Sequence, residues 1–140
     1  YTVTETDSPV ARTESETWSL GKRTSHTDAR GWVRTFQYDG LGRVTRIDHP
    51  GDNTFETVSY QRTVGGVTQT LLHPVTLTDR RGKVVSFTYD AVGKPLTRTD
   101  RRGKVTTYQW CTCGALEAVI DPLGNRTEFG YDAAGRRTNR

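Results

Sequence analysis

The chain has 140 residues, 32% of them hydrophobic and 26% charged, with a net charge of +4 from 20 basic and 16 acidic side chains. That balance argues against disorder driven by self-repulsion. No run approaches the roughly 18–20 apolar residues of a membrane span, and no signal-peptide pattern opens the chain.

Threonine alone accounts for 24 residues. Together with Val, Tyr and Phe it favours strands, because β-branched and aromatic side chains fit a pleated surface. The mean hydropathy of −0.72 leaves too few aliphatic residues for a compact sandwich. Met is absent, at position 1 as elsewhere, so the segment is expected to come from a longer array.

In chain order, residues 1–27 read as a degenerate repeat, with Asp7 and Gly21 as marks and Trp18 where later copies carry Asp. Residues 28–60 hold a clear copy, Asp28, Gly31, Phe36, Tyr38, Asp39 and Gly42. A worn copy follows, in which His49 precedes Pro50-Gly51-Asp52 and Phe55 and Tyr60 fall out of register. Residues 61–78 carry an insertion of 9 residues and a return strand, with Gly65-Gly66 as the expected turn.

Residues 79–140 hold three copies at a period of 21 residues. The first has Asp79, Gly82, Phe87, Tyr89, Asp90 and Gly93. The second has Asp100, Gly103, Tyr108, Trp110, Cys111 and Gly114, and the third has Asp121, Gly124, Phe129, Tyr131, Asp132 and Gly135. A fixed period of this length signals units that stack and complete one another's core.

Each unit contains two strand-sized stretches, such as 83–89 and 94–99, separated by turns. That spacing predicts an antiparallel all-β meander. Asp bonds its own backbone two residues on and Gly accepts positive φ, so Asp-x-x-Gly suits a tight turn. Alternation sets Phe36 and Tyr38, Phe87 and Tyr89, Tyr108 and Trp110, and Phe129 and Tyr131 on one face, with mostly polar residues on the other. One packed face and one wetted face are expected.

The segments Tyr38-Asp39-Gly40-Leu41-Gly42-Arg43, Tyr89-Asp90-Ala91-Val92-Gly93-Lys94 and Tyr131-Asp132-Ala133-Ala134-Gly135-Arg136 resemble the YD-repeat, or Rhs, family. The likeness is firm over residues 28–140 and weak over 1–27. It implies β-hairpin ribbons coiled into a hollow shell or tube. In the family's bacterial toxins such a shell encloses a toxic polypeptide, and in teneurins a related shell serves adhesion. It also implies that chemistry lies in C-terminal segments beyond the repeats. Asp121-Pro122-Leu123-Gly124 shares letters with a self-cleavage segment but occupies an ordinary repeat turn.

The candidate sites are therefore structural: Asp39, Gly42, Asp90, Gly93, Asp132 and Gly135 at turns, with the aromatic pairs between them. Asp90 and Asp132 could be mistaken for paired catalytic carboxylates, but recurrence in every copy marks turn formers. Cys111 and Cys113 depart from the Tyr-Asp pattern. They read as a structural pair, a disulfide, or half of a soft-metal site. In an extended strand their separation would exceed disulfide reach unless the turn folds them together. Trp18, Trp32 and Trp110 are the probes for glycan stacking, against the plainer reading of strand packing.

No catalytic residue, cofactor, metal or nucleic-acid partner is expected. The expected partners are neighbouring repeats, identical chains, an enclosed polypeptide, or surface glycans. The location implied is extracellular, secreted or at a bacterial cell surface. The expected role is a non-enzymatic wall segment of a cargo-enclosing shell, with a self-associating tube or filament and a carbohydrate-binding adhesin as alternatives.

Overall fold

A computed structural model describes residues 2–5 and 12–139, and side chains between positions 13 and 138. The mark expected at Asp7 lies outside the described residues. All regular structure among the described residues is β. The first six strands are β1 (Thr2–Glu5), β2 (Arg12–Ser19), β3 (Lys22–Thr27), β4 (Val33–Tyr38), β5 (Val44–Asp48) and β6 (Phe55–Ser59). Then come β7 (Gln61–Val64), β8 (Val67–Thr70), β9 (Thr76–Thr78), β10 (Val84–Tyr89) and β11 (Pro95–Thr99). The last five are β12 (Val105–Trp110), β13 (Leu116–Ile120), β14 (Arg126–Glu128), β15 (Gly130–Tyr131) and β16 (Arg137–Asn139).

The chain divides into two compact units, Tyr1–Ser59 with Leu77–Lys83, and Tyr60–Thr76 with Val84–Arg140. In the first, β1 to β6 pair in chain order, each antiparallel to the next. β9 lies beside β6, so the return strand resumes the ladder where β6 left it. In the second, β10 to β14 pair in chain order and β15 pairs with β16.

The inserted segment forms a hairpin of its own. β7 and β8 pair with Val64 opposite Val67. Gly65 and Gly66 make the two-residue turn, at φ of 57° and 80°. Two consecutive positive φ values match the right-handed twist of the flanking strands, and glycine adopts them without steric cost.

A regular irregularity marks the repeat. The register shifts between Gln37 and Tyr38, Thr88 and Tyr89, Gln109 and Trp110, and Gly130 and Tyr131. In β4 and β5, Gln37 faces Arg46 but Tyr38 faces Val44, which leaves Thr45 as the extra residue of a bulge. A bulge re-aims the side chain beside it, and each of these sits just before the second aromatic of its pair.

Burial is thin. Among the described residues only Val85 and Ala118 are buried, at 7% and 0% exposure. The accessible surface is 10136 Å², against about 7,300 Å² for a compact monomer of this mass. The expectation of one packed and one wetted face needs correction accordingly. Exposure alternates only in part along β10, where Val84 and Thr88 are exposed and Val85, Phe87 and Tyr89 are covered but Ser86 is half-buried as well. It does not alternate along β12, where Thr106 to Trp110 are all half-buried. Apart from Val85 and Ala118, the apolar side chains described are half covered or exposed.

Candidate functional site

The repeating turn is built around one carboxylate oxygen. Asp39 Oδ1 accepts the N–H groups of Leu41 and Arg43, both at 2.9 Å. The same pair of bonds, from residues two and four positions on, recurs at Asp28, Asp79, Asp90, Asp100, Asp121 and Asp132. The backbone closes each loop, as where Gly42 N–H donates to Asp39 O at 3.0 Å. Gly42, Gly93 and Gly135 take φ of 82°, 88° and 75°.

These bonds favour the ionised carboxyl. Asp39 is held below the usual carboxylate value chiefly by the Arg43 side chain, and Asp121 by that of Asn125. Asp28, Asp100 and Asp132 are held low chiefly by the backbone N–H groups of Trp32, Lys104 and Arg136. Acceptance of several donors by a charged oxygen is the cause in each case. Asp90 and Asp132 each serve the turn that contains them.

The second aromatic of each pair reaches back to the preceding unit. Tyr38 Oη donates to Arg23 O, and Tyr89 Oη to Pro74 O, both at 2.8 Å. Trp110 Nε1 donates to Pro95 O at 2.8 Å and Tyr131 Oη to Leu116 O at 3.0 Å. Every one of these bonds spans 15 residues. The other member of each pair, Phe36, Phe87, Tyr108 or Phe129, is half-buried on the same face. Arg23 lies over the Phe36 ring and Arg137 over Phe129, each at 4.5 Å. Phe87 stacks on Tyr89 at 6.4 Å.

A side chain from the preceding unit is held between ring and glycine. Lys22 Nζ sits 5.6 Å from the Tyr38 ring centre, and Lys94 Nζ 5.3 Å from that of Trp110. His73 occupies the same slot and stacks on Tyr89 at 5.4 Å. Gly42, Gly93 and Gly114 leave room for these three: a Cβ there would lie 2.9 Å from Lys22 Cε, 3.2 Å from His73 Nε2 and 3.4 Å from Lys94 Nζ. Sequence reasoning assigned these glycines to turns alone and missed the column. The available signal was that this aromatic slot always carries a donor, Tyr or Trp, whereas the slot two residues earlier admits Phe.

Cys111 and Cys113 are joined in a disulfide with Cα atoms 5.2 Å apart. The turn, rather than a strand, brings them within reach, because β12 ends at Trp110. Cys111 holds the place of the turn aspartate. Its Sγ accepts the Ala115 N–H at 3.3 Å, the counterpart of the bond from the fourth residue on. The covalent link to Cys113 ties in the second residue on, whose N–H bonds the carboxylate elsewhere. Among the described residues no three His, Cys, Asp or Glu side chains gather as a metal site.

One expectation about tryptophan changes. Trp18 does not stand in for a turn aspartate. The β2–β3 turn is one residue shorter, Leu20-Gly21, so Trp18 faces Arg23 across a bulge as Tyr38 faces Val44. Trp110 is half-buried with its N–H committed to Pro95, whereas Trp18 and Trp32 are 57% and 48% exposed. Of the three glycan probes, the two exposed ones remain.

The fold and the recurring turns define a repeat protein of antiparallel hairpins. The RHS Repeat family matches residues 18–54, 72–105 and 114–140, and the chain belongs to that family. It is 26% identical over 118 residues to the Double-stranded DNA deaminase toxin A of Burkholderia cenocepacia (strain H111), covering 84% of this chain and 8% of that protein. It is similar in fold to the crystal structure of TcdB2-TccC3-Cdc42, with a TM-score of 0.66, 12% identity, and 93% of this chain on 7% of that one. The Photorhabdus luminescens Tc holotoxin pore with a TccC3 variant gives a TM-score of 0.55 at 16% identity, 91% of this chain on 9% of that one. The chain thus spans less than a tenth of the length of each relative. It is a structural repeat segment of the Rhs type.

Proposed function

We propose that this chain is a non-enzymatic wall segment of an exported bacterial shell that encloses a polypeptide cargo. The observation that carries the reading is the near absence of buried side chains among the described residues of a chain whose strands pair in ladders. Such units are completed by further repeats stacked on both sides. The columns of Tyr, Trp, Lys and His are the means, since each turn fastens to the one before it. The family membership and the fold likeness to Tc toxin structures support the same reading.

In this reading the four stretches, 1–27, 28–60, 61–78 and 79–140, are one continuous array within a longer chain. The partners are its own neighbouring repeats and the enclosed polypeptide. The test is electron microscopy of the natural full-length protein, combined with limited proteolysis of its non-repeat portion. The expected result is a closed shell with internal density and a protected cargo. Continuous fibres built from repeats would sink the proposal in favour of a filament, and an exposed, rapidly cleaved non-repeat portion would remove the cargo.

A further inference from the structure

Several residues that break the 21-residue pattern in the first unit converge on one cavity. It has a volume of about 230 Å³ and is lined by Asp28, Arg30, Trp32, Arg34, His49, Pro50 and Arg80. His49 stands where the period calls for a turn aspartate. Arg34 stands where the later copies carry Val85, Thr106 and Thr127. Trp32 stands where they carry Lys83, Lys104 and Asn125. A repeat that only needed to stack would have no use for these departures.

The chemistry of the lining is cationic. The lining holds three arginines and one carboxylate, Asp28, and that carboxylate already spends Oδ1 on the N–H groups of Arg30 and Trp32. Arg80 is anchored through Nη2 by Asp52 at 2.5 Å and through Nε by Thr54 at 2.8 Å, which fixes its position and leaves Nη1 as its remaining donor group. Arg34 is exposed and has no ion pair or side-chain hydrogen bond among the described residues. His49 is only 10% exposed, and its Nε2 has no hydrogen-bond partner. Glu56 Oε1 lies 3.2 Å from that nitrogen, within ion-pair range but out of hydrogen-bond alignment.

The wall is also preformed. A Cβ on Gly51 would lie 1.8 Å from Trp32 Cζ3, so the indole occupies the space a side chain would need and the residue must be glycine. Gly51 has φ of 91°. The cavity is smaller than the roughly 300–1,000 Å³ of a drug-sized ligand pocket, which suits a single charged group. Forked guanidinium donors match the geometry of carboxylate, sulfate and phosphate oxygens.

We infer that this cavity is a binding site for an oxyanion group, held by Arg30, Arg34 and Arg80 against the Trp32 wall. The inference stands whether the array closes into a shell or extends as a filament. The test is a titration of this chain with sodium sulfate, and separately with sodium acetate, against sodium chloride at matched ionic strength. Arginine side-chain N–H and His49 ring resonances are followed by NMR. The expected result is saturable binding of one anion per chain, in which Arg34→Gln weakens affinity tenfold or more and Arg102→Gln leaves it unchanged. Preference for sulfate would indicate a sulfate- or phosphate-bearing ligand, and preference for acetate a carboxylate-bearing one. Circular dichroism of each variant separates loss of binding from loss of fold, and Arg34→Lys tests the forked geometry in a chain that keeps its charge. Non-saturating shifts, or equal weakening by Arg34→Gln and Arg102→Gln, would overturn the site.

Discussion

Trp110 donates its indole N–H to the carbonyl of Pro95 at 2.8 Å, the same bond over the same 15 residues that Tyr89 makes to Pro74 through a hydroxyl. Two different side chains thus satisfy one requirement, a donor at the far end of a flat ring. Trp110→Phe and Tyr89→Phe are each expected to cost about 1 kcal/mol, the net worth of one such bond. Trp110→Tyr is expected to cost less than Trp110→Phe. Urea denaturation compares the three, and equal losses for the two Trp110 variants would remove the bond from the account.

The glycines separate conformational strain from crowding. Gly135→Ala meets only the positive φ, because no atom lies within 4 Å of its Cβ position. A cost of about 1–2 kcal/mol is expected there. Gly93→Ala meets the same strain and also His73 at 3.2 Å, and is expected to cost more. Gly51→Ala collides with Trp32 and is expected to cost most, with a change in tryptophan fluorescence. Thermal denaturation ranks the three.

The turn aspartates make stability depend on acid. The carboxyls of Asp28, Asp39, Asp100, Asp121 and Asp132 sit below their ordinary value of 3.8 in the folded chain. The unfolded chain therefore takes up protons first as pH falls. The stabilisation from these groups is complete above about pH 5 and is lost progressively below about pH 4. Denaturation midpoints measured from pH 7 to pH 3 are expected to be level and then fall. Asp39→Asn is expected to flatten that fall.

Reduction of the Cys111–Cys113 bond opens only a short loop, so the entropic effect is expected to reach at most about 2 kcal/mol. Replacing both residues, Cys111→Asp with Cys113→Ala, restores the carboxylate used at the other turns. That variant is expected to lie within about 1 kcal/mol of the oxidised chain and to show no response to reductant. Urea midpoints with and without dithiothreitol check both statements.

The periodic part of the fold was legible because Asp, Gly and the aromatics report on local geometry that a single copy already contains. Asp39 to Gly42 specifies its own turn, and Gly65-Gly66 specifies a hairpin tip. The Lys22, His73 and Lys94 slot was not legible, because it is defined by two neighbours 16 and 20 residues away and tolerates two chemistries. Trp18 was misplaced because counting from Asp ignores a turn shortened by one residue, which only strand pairing reveals. The cavity around Arg34 and His49 was hidden for a related reason. His49 and Pro50 look like a worn copy and Trp32 and Arg34 like ordinary strand positions when read singly, and they acquire a meaning only when the ladder sets them side by side.

The bonds that tie each ring to the hairpin before it all point toward the N-terminus. A growing polypeptide therefore always finds its acceptor carbonyl already made. Short sequence separations between partners favour rapid closure, and units that emerge first can order before later ones exist. Synthesis in this direction lets the ribbon be laid down turn by turn, like knitting cast off from one end.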